Sequence, residues 1–71
     1  MPVIKVKELI GTSPESFEDA LKQAINQTSE QHKNVTGVRI MHQSVDVNNG
    51  QIVEYKVNVR IAYKWEKELN D

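Results

Sequence analysis

Between Val53 and Trp65 the chain alternates without a break. Val53, Tyr55, Val57, Val59, Ile61, Tyr63 and Trp65 occupy every second position, and Glu54, Lys56, Asn58, Arg60, Ala62 and Lys64 fill the gaps. Successive side chains of a strand point to opposite faces, so this period of two specifies one long strand with an apolar side and a mostly polar side. The apolar row must be covered by another part of the chain.

The cover is legible upstream. Phe17, Ala20, Leu21, Ala24, Ile25 and Thr28 recur at spacings of three and four, the stripe of an amphipathic helix over about Pro14 to Gln31. Ala20 and Ala24 let such a helix lie close to a sheet. Pro14 suits a first helical position, because its missing N–H costs nothing there. Ser13 then reads as the N-cap, with Thr12 and Glu15 spaced as a capping box one residue earlier. Glu15, Glu18 and Asp19 place negative charge where the helix dipole favours it.

Two further strands flank this helix. Val3 to Ile10 reads as the first, with Ile4, Val6 and Ile10 on one parity and Val3, Lys5, Lys7 and Leu9 on the other. The row of Ile4, Val6 and Ile10 reads as the inner one, interrupted by Glu8. Asn34 to Val47 reads as the second, with Val38 and Ile40 on one parity and Gly37, Arg39, Met41 and Gln43 on the other. Asn48-Asn49-Gly50 is a hairpin signal, because Asn and Gly tolerate positive φ. Asp46-x-Asn48-Asn49-Gly50 has a faint likeness to a calcium loop, but the glycine comes one residue early and the downstream glutamate is absent, so it reads as a turn. The order is β-α-β-β, an α+β class. A helical crossover makes the first and second strands parallel. The long strand, antiparallel to both, then sits between them in the order 1-3-2.

With 71 residues the chain reads as one domain, residues 1–71, too small to bury much surface alone. It holds no cysteine, which removes disulfides and thiolate metal sites from its means of stabilisation. Self-association is the remaining route, and it would also cover the bare sheet face and unpaired edges. Nine basic and ten acidic residues give a net charge of −1, which argues against a nucleic-acid binder. No apolar leader and no long apolar run argue against a membrane partner and make the cytoplasm the default location.

Support for catalysis is thin. The two histidines, His32 and His42, are ten residues apart without a metal-ligand partner and read as surface residues. No nucleophile–base set or phosphate loop can be assembled, and no metal ligands are assigned. The polar sheet face is more informative. It carries Arg39, Lys56, Arg60 and Lys64 against Glu54, a cationic surface that suits an anionic ligand.

Lys5-Val6 followed by Ile10-Gly11-Thr12-Ser13-Pro14-Glu15-Ser16-Phe17 resembles the first strand and helix start of the dodecins. Val45 and Tyr55-Lys56-Val57-Asn58-Val59 resemble their hairpin. The likeness runs from Val3 to about Trp65 without a gap. It implies a three-stranded antiparallel sheet wrapped around one helix, and a hollow spherical homododecamer with sheets inside and helices outside. It also implies a ligand: a flavin, such as riboflavin or FMN, stacked between tryptophans of symmetry-related subunits and bonded by a glutamine. The matching positions here are Gly37 and Lys56. Gly37 offers no stacking plane, and Lys56 donates hydrogen bonds but accepts none. Trp65 lies at the far end of the long strand on the inward parity. The chain is therefore more similar to the tryptophan-less branch of the family.

The resulting expectation is a non-catalytic homo-oligomer that binds or stores a small anionic or flavin-like ligand at an altered site. Gly37 and Lys56 hold the family positions, and Arg39, Met41, Gln43, Asn58 and Arg60 share the same sheet face. The alternatives are a flavin-binding dodecin with a modified site, a ligand-free structural shell and a calcium-binding dodecin.

Overall fold

The elements run β1 (Val3–Ser13), α1 (Phe17–Gln31), β2 (Val35–Asn48) and β3 (Gln51–Trp65) in a computed structural model that describes residues 3–65. The sheet order is β1-β3-β2, and both flanking strands are antiparallel to β3. This is the α+β arrangement and the 1-3-2 order expected from the sequence.

α1 lies on one face of the sheet. Ala20, Ala24, Val57, Val59 and Ile61 are buried between them, with Leu9, Phe17, Leu21, Ile25, Val35 and Val38 packed around that centre. Phe17 meets Tyr55 edge-on, with ring centroids 5.0 Å apart. The closest approach is at Gly11. A Cβ built there would lie 2.2 Å from the Ala20 carbonyl oxygen, so only glycine lets the helix seat at this depth.

The helix starts later than Pro14. Ser16, not Ser13, is the N-cap: its extended backbone presents Oγ to the Asp19 N–H at 2.9 Å. Ser13 is still in β1, opposite Tyr55, which holds it out of the helix. Its buried hydroxyl accepts from the Glu15 N–H at 2.9 Å and donates to Asp19 Oδ2 at 2.6 Å. Gly11-Thr12-Ser13 thus extends the first strand beyond Ile10 and bolts it to the helix start. At the other end the His32 N–H closes the helix on the Thr28 carbonyl at 2.8 Å. The His32 ring stacks on Tyr63 at 4.0 Å and 13°, so this histidine is half-buried rather than the surface residue expected.

The first strand faces the other way from its reading. Lys5, Lys7, Leu9 and Gly11 pair with Tyr63, Ile61, Val59 and Val57. Directly opposite residues share a face, so this row lies on the helix side. Two lysines are tolerated there because their stems lie along apolar surface while the heads reach the rim. Lys7 Nζ donates to Gln31 Oε1 at 2.7 Å, and Lys5 Nζ sits 4.2 Å from the centre of the Trp65 ring. Ile4, Val6 and Ile10 turn to the open face instead and remain 54, 60 and 58 % exposed.

The hairpin turn has positive φ at Asn49 (53°) and Gly50 (75°), with Asn48 opposite Gln51, a two-residue turn of the favoured kind. β1 reaches only as far as Tyr55 on β3. Beyond it the β2–β3 hairpin continues as a two-stranded arm carrying exposed Val47, Ile52 and Val53. Register shifts occur between Val35 and Gly37, between Ile40 and His42, and between Asp46 and Val47. They leave Thr36, Met41 and Val53 as the extra residues of three β-bulges. Among the described residues no helix is long and apolar enough to cross a membrane.

Candidate functional site

The open face of the sheet is built in rows across the three strands. Val6, Ala62 and Gly37 form one row; Glu8, Arg60 and Arg39 the next; then Ile10, Asn58 and His42; then Thr12, Lys56 and Ser44; and finally Glu54 with Asp46 on the arm. Of the candidate residues, Gly37, Arg39, Lys56, Asn58 and Arg60 are brought together here. Met41 and Gln43 are not. Met41 is the bulge residue, and Gln43 lies opposite Val57 on the helix side. The extra residue shifts the pleat by one, so His42 and Ser44 take the places expected for Met41 and Gln43.

The face is less cationic than its own strand suggests. Glu8 arrives from β1 and Asp46 from β2. Arg60 Nε donates to Glu8 Oε1 at 3.2 Å, and Lys56 Nζ lies 3.1 Å from Asp46 Oδ2. Each pair is about half exposed and contributes under ~1 kcal/mol, but it fixes where the heads point. Arg39 enters none of the ion pairs formed among the described residues. Asn58 Oδ1 is buried and accepts no hydrogen bond.

A depression of about 600 Å³ opens on this face over the first two rows, lined by Val6, Glu8, Gly37, Arg39, Arg60 and Ala62. Its existence follows from residue size. Nothing lies within 4 Å of where a Gly37 Cβ would stand, Ala62 beside it is small, and Val6 forms the far wall. The parity of the first strand, misread from its apolar row, is what concealed Val6 and Glu8 as lining residues. Ala62 was visible on the polar row but carries no chemistry that would single it out.

Gly37 and Lys56, which the resemblance matches to flavin contacts, do not form a flavin clamp in one subunit. Gly37 supplies space instead of a ring, and the Lys56 ammonium is held by Asp46. Calcium takes six to eight oxygen ligands. Asp46 and Glu54 face each other across the arm, but one of the two is already occupied by Lys56. No group of three or more His, Cys, Asp or Glu side chains is assembled among the described residues. The described residues of one subunit therefore do not assemble a calcium site.

Comparison with known proteins gives a consistent result. The model of the dodecin family matches residues 3–66. Calcium dodecin from Mycobacterium tuberculosis is 28 % identical over 64 residues, 90 % of each chain. Its crystal structure, described as a calcium-chelating antigen with a novel calcium-binding site, superposes with a TM-score of 0.80 at 28 % identity, over 93 % of this chain and 94 % of that one. Dodecin from Streptomyces davaonensis superposes with a TM-score of 0.87 at 24 % identity, over 93 % and 97 %. At that identity the second likeness speaks to the fold alone.

Proposed function

The chain belongs to the dodecin family, and from that premise we propose that it is a non-catalytic, homododecameric protein that binds or stores a small ligand on the open faces of its sheets. The observation that carries the ligand reading is the depression over Gly37. It lies at the position matching the family's stacking residue, and it falls in the size range of small-molecule sites. The assembly reading is supported by what the single chain leaves uncovered: Ile4 and Ile10 on the open face, and Val47, Ile52 and Val53 on the arm. A flavin held in the usual stack is not expected, because neither Gly37 nor Lys56 can play its part.

Two measurements test this. Light scattering on the purified protein gives a mass near twelve times the 8.1 kDa subunit; a mass of one subunit sinks the assembly. Denaturing the washed assembly releases a small molecule detectable by absorbance and mass spectrometry, and a shell that releases nothing and takes up nothing favours the ligand-free structural reading. Submicromolar quenching of riboflavin fluorescence would restore the flavin site.

The calcium reading is favoured by the relative named calcium dodecin. It requires oxygens beyond those of Asp46 and Glu54, which alone are too few. Isothermal titration with calcium chloride decides it: heat of binding that Asp46→Asn abolishes supports the ion, and a flat titration removes it.

A further inference from the structure

We infer that the depression over Gly37 is the seat of a small aromatic monoanion, with Arg39 as the anchor of its acidic group. This deepens the ligand-binding reading above and rests on it.

The three glycines of the chain differ in what demands them. Gly11 is required by the Ala20 carbonyl oxygen 2.2 Å from any Cβ, and Gly50 by its φ of 75°. Gly37 meets neither demand. Its φ is not positive, and a Cβ would have nothing within 4 Å. A glycine inside a strand is less favourable than alanine, so the backbone gains nothing from it. It follows the Thr36 bulge, one of the places where a strand glycine is found; its bare backbone also leaves open surface, and close approach of a ligand is another such place. With Ala62 beside it, Gly37 forms a bare apolar floor, bounded by Val6 as its far wall.

The charge beside that floor is unbalanced in a specific way. Arg39 and Arg60 stand directly opposite each other on β2 and β3, a pairing of like charges that is unfavourable by itself. Glu8 neutralises Arg60 from the far side at 3.2 Å. Arg39 is in no ion pair among the described residues, so the row carries one cation in excess. The guanidinium fork matches a carboxylate, sulfonate or phosphate oxygen pair. A ring on the floor with one acidic group on Arg39 satisfies both rows. A neutral ring forfeits Arg39, and a second negative charge on the ligand meets Glu8.

The test uses a matched pair of dyes on the assembled protein. 8-Anilinonaphthalene-1-sulfonate carries one sulfonate on its rings, and N-phenyl-1-naphthylamine is its neutral counterpart. Both report binding by fluorescence. The sulfonate binds about 10-fold more tightly than the neutral dye, ~1.4 kcal/mol. Arg39→Gln brings it down to the neutral dye's affinity without changing the latter, and Gly37→Leu removes both by filling the floor. Equal affinities in the unaltered protein overturn the inference, as do undiminished sulfonate binding in Arg39→Gln and binding that survives Gly37→Leu. If neither dye binds but denaturation releases another small molecule, the inference falls and the ligand-binding reading stands. If neither dye binds and nothing is released, both fall.

Discussion

Replacing Gly11 by alanine puts one methyl group into the closest contact between the helix and the sheet. The new Cβ would stand 2.2 Å from the Ala20 carbonyl oxygen and 3.0 Å from the Ala24 Cβ. Real Cβ contacts stop near 3.0 Å, so α1 must retreat by about 0.8 Å at this point. A backbone oxygen inside a helix cannot swing aside as a side chain would. The retreat lifts Ala20 and Ala24 off Val57 and Val59, and a gap of 0.5–1 Å forfeits roughly a quarter to a half of each dispersion contact. It also pulls Asp19 away from the Ser13 hydroxyl, a bond of 2.6 Å. Overpacking of this kind costs ~1–3 kcal/mol, and the rigidity of the obstacle puts Gly11→Ala at the top, about 3 kcal/mol. Urea unfolding, followed by circular dichroism at one fixed subunit concentration, reads the effect. With a slope of ~1.5 kcal/mol/M the midpoint falls by about 2 M. Gly37→Ala is the control, because the same methyl meets open space; its midpoint stays level or rises slightly as the unfolded chain loses freedom. If the two alanines behave alike, the close seating of the helix on β1 is not what Gly11 provides.

Other substitutions separate the remaining contributions. Ser16→Ala removes the acceptor of the Asp19 N–H and costs about 1 kcal/mol, whereas the same change at an uncapped helix start would cost nothing; the urea midpoint distinguishes them. Thr28→Val keeps the shape of a wholly buried side chain and deletes a hydroxyl oxygen that has no partner, so the protein gains about 1 kcal/mol, and a loss would show that the hydroxyl is satisfied. Glu8→Gln breaks a half-exposed pair with Arg60 and changes stability by less than ~1 kcal/mol in a thermal melt. Gly37→Trp combined with Lys56→Gln introduces a stacking plane and a two-way hydrogen-bonding amide at the two positions that the resemblance matches to flavin contacts, and riboflavin quenching should tighten at least about 10-fold; unchanged quenching would place the flavin determinants elsewhere.

The parts of the fold that follow from periodicity were legible in the sequence. The long strand, the apolar stripe of the helix, the Asn49-Gly50 turn and the 1-3-2 order each rest on a pattern many residues long. The errors lie where a tertiary contact overrode a local rule. Ser13 satisfies every local condition for an N-cap, yet its pairing opposite Tyr55 keeps it in the strand and passes the cap to Ser16. Ile4, Val6 and Ile10 look like an inner row only if apolar residues must face the helix; here Lys5 and Lys7 do, because Trp65 and Gln31 receive their heads. The same misreading hid part of the candidate site, since Val6 and Glu8 reach it from the face assumed to be covered. One signal was available. The apolar positions of the second strand change parity, from Val38 and Ile40 to Val45, and a change of parity within one strand marks an inserted residue.

That parity change shows how the site arises. Val35, Val38, Ile40 and Val45 all lie on the helix side of β2, opposite Tyr63, Ile61, Val59 and Tyr55. A strictly alternating strand could not place all four there, and a register slip would move every side chain to the wrong face. Two local bulges solve this at the cost of two unpaired residues, Thr36 and Met41. Thr36 anchors the first by donating from its hydroxyl to the Ala62 carbonyl at 3.4 Å. Counting on from Val35 opposite Tyr63 without that bulge, Thr36 would lie opposite Ala62, Gly37 opposite Ile61 under the helix, and Val38 opposite Arg60 on the open face. There would then be a threonine side chain where the depression now lies. The bulge therefore serves two ends at once: it completes the helix side with Val38, and it clears the open face by turning the strand's one glycine outward. Deleting Thr36 would leave Val35 opposite Tyr63, Gly37 opposite Ala62 and Val38 opposite Ile61 in plain alternation, so the extra residue is what the bulge absorbs and both the core valine and the depression would survive its loss. The residues that can meet a ligand are those that the demands of the core leave on the other side.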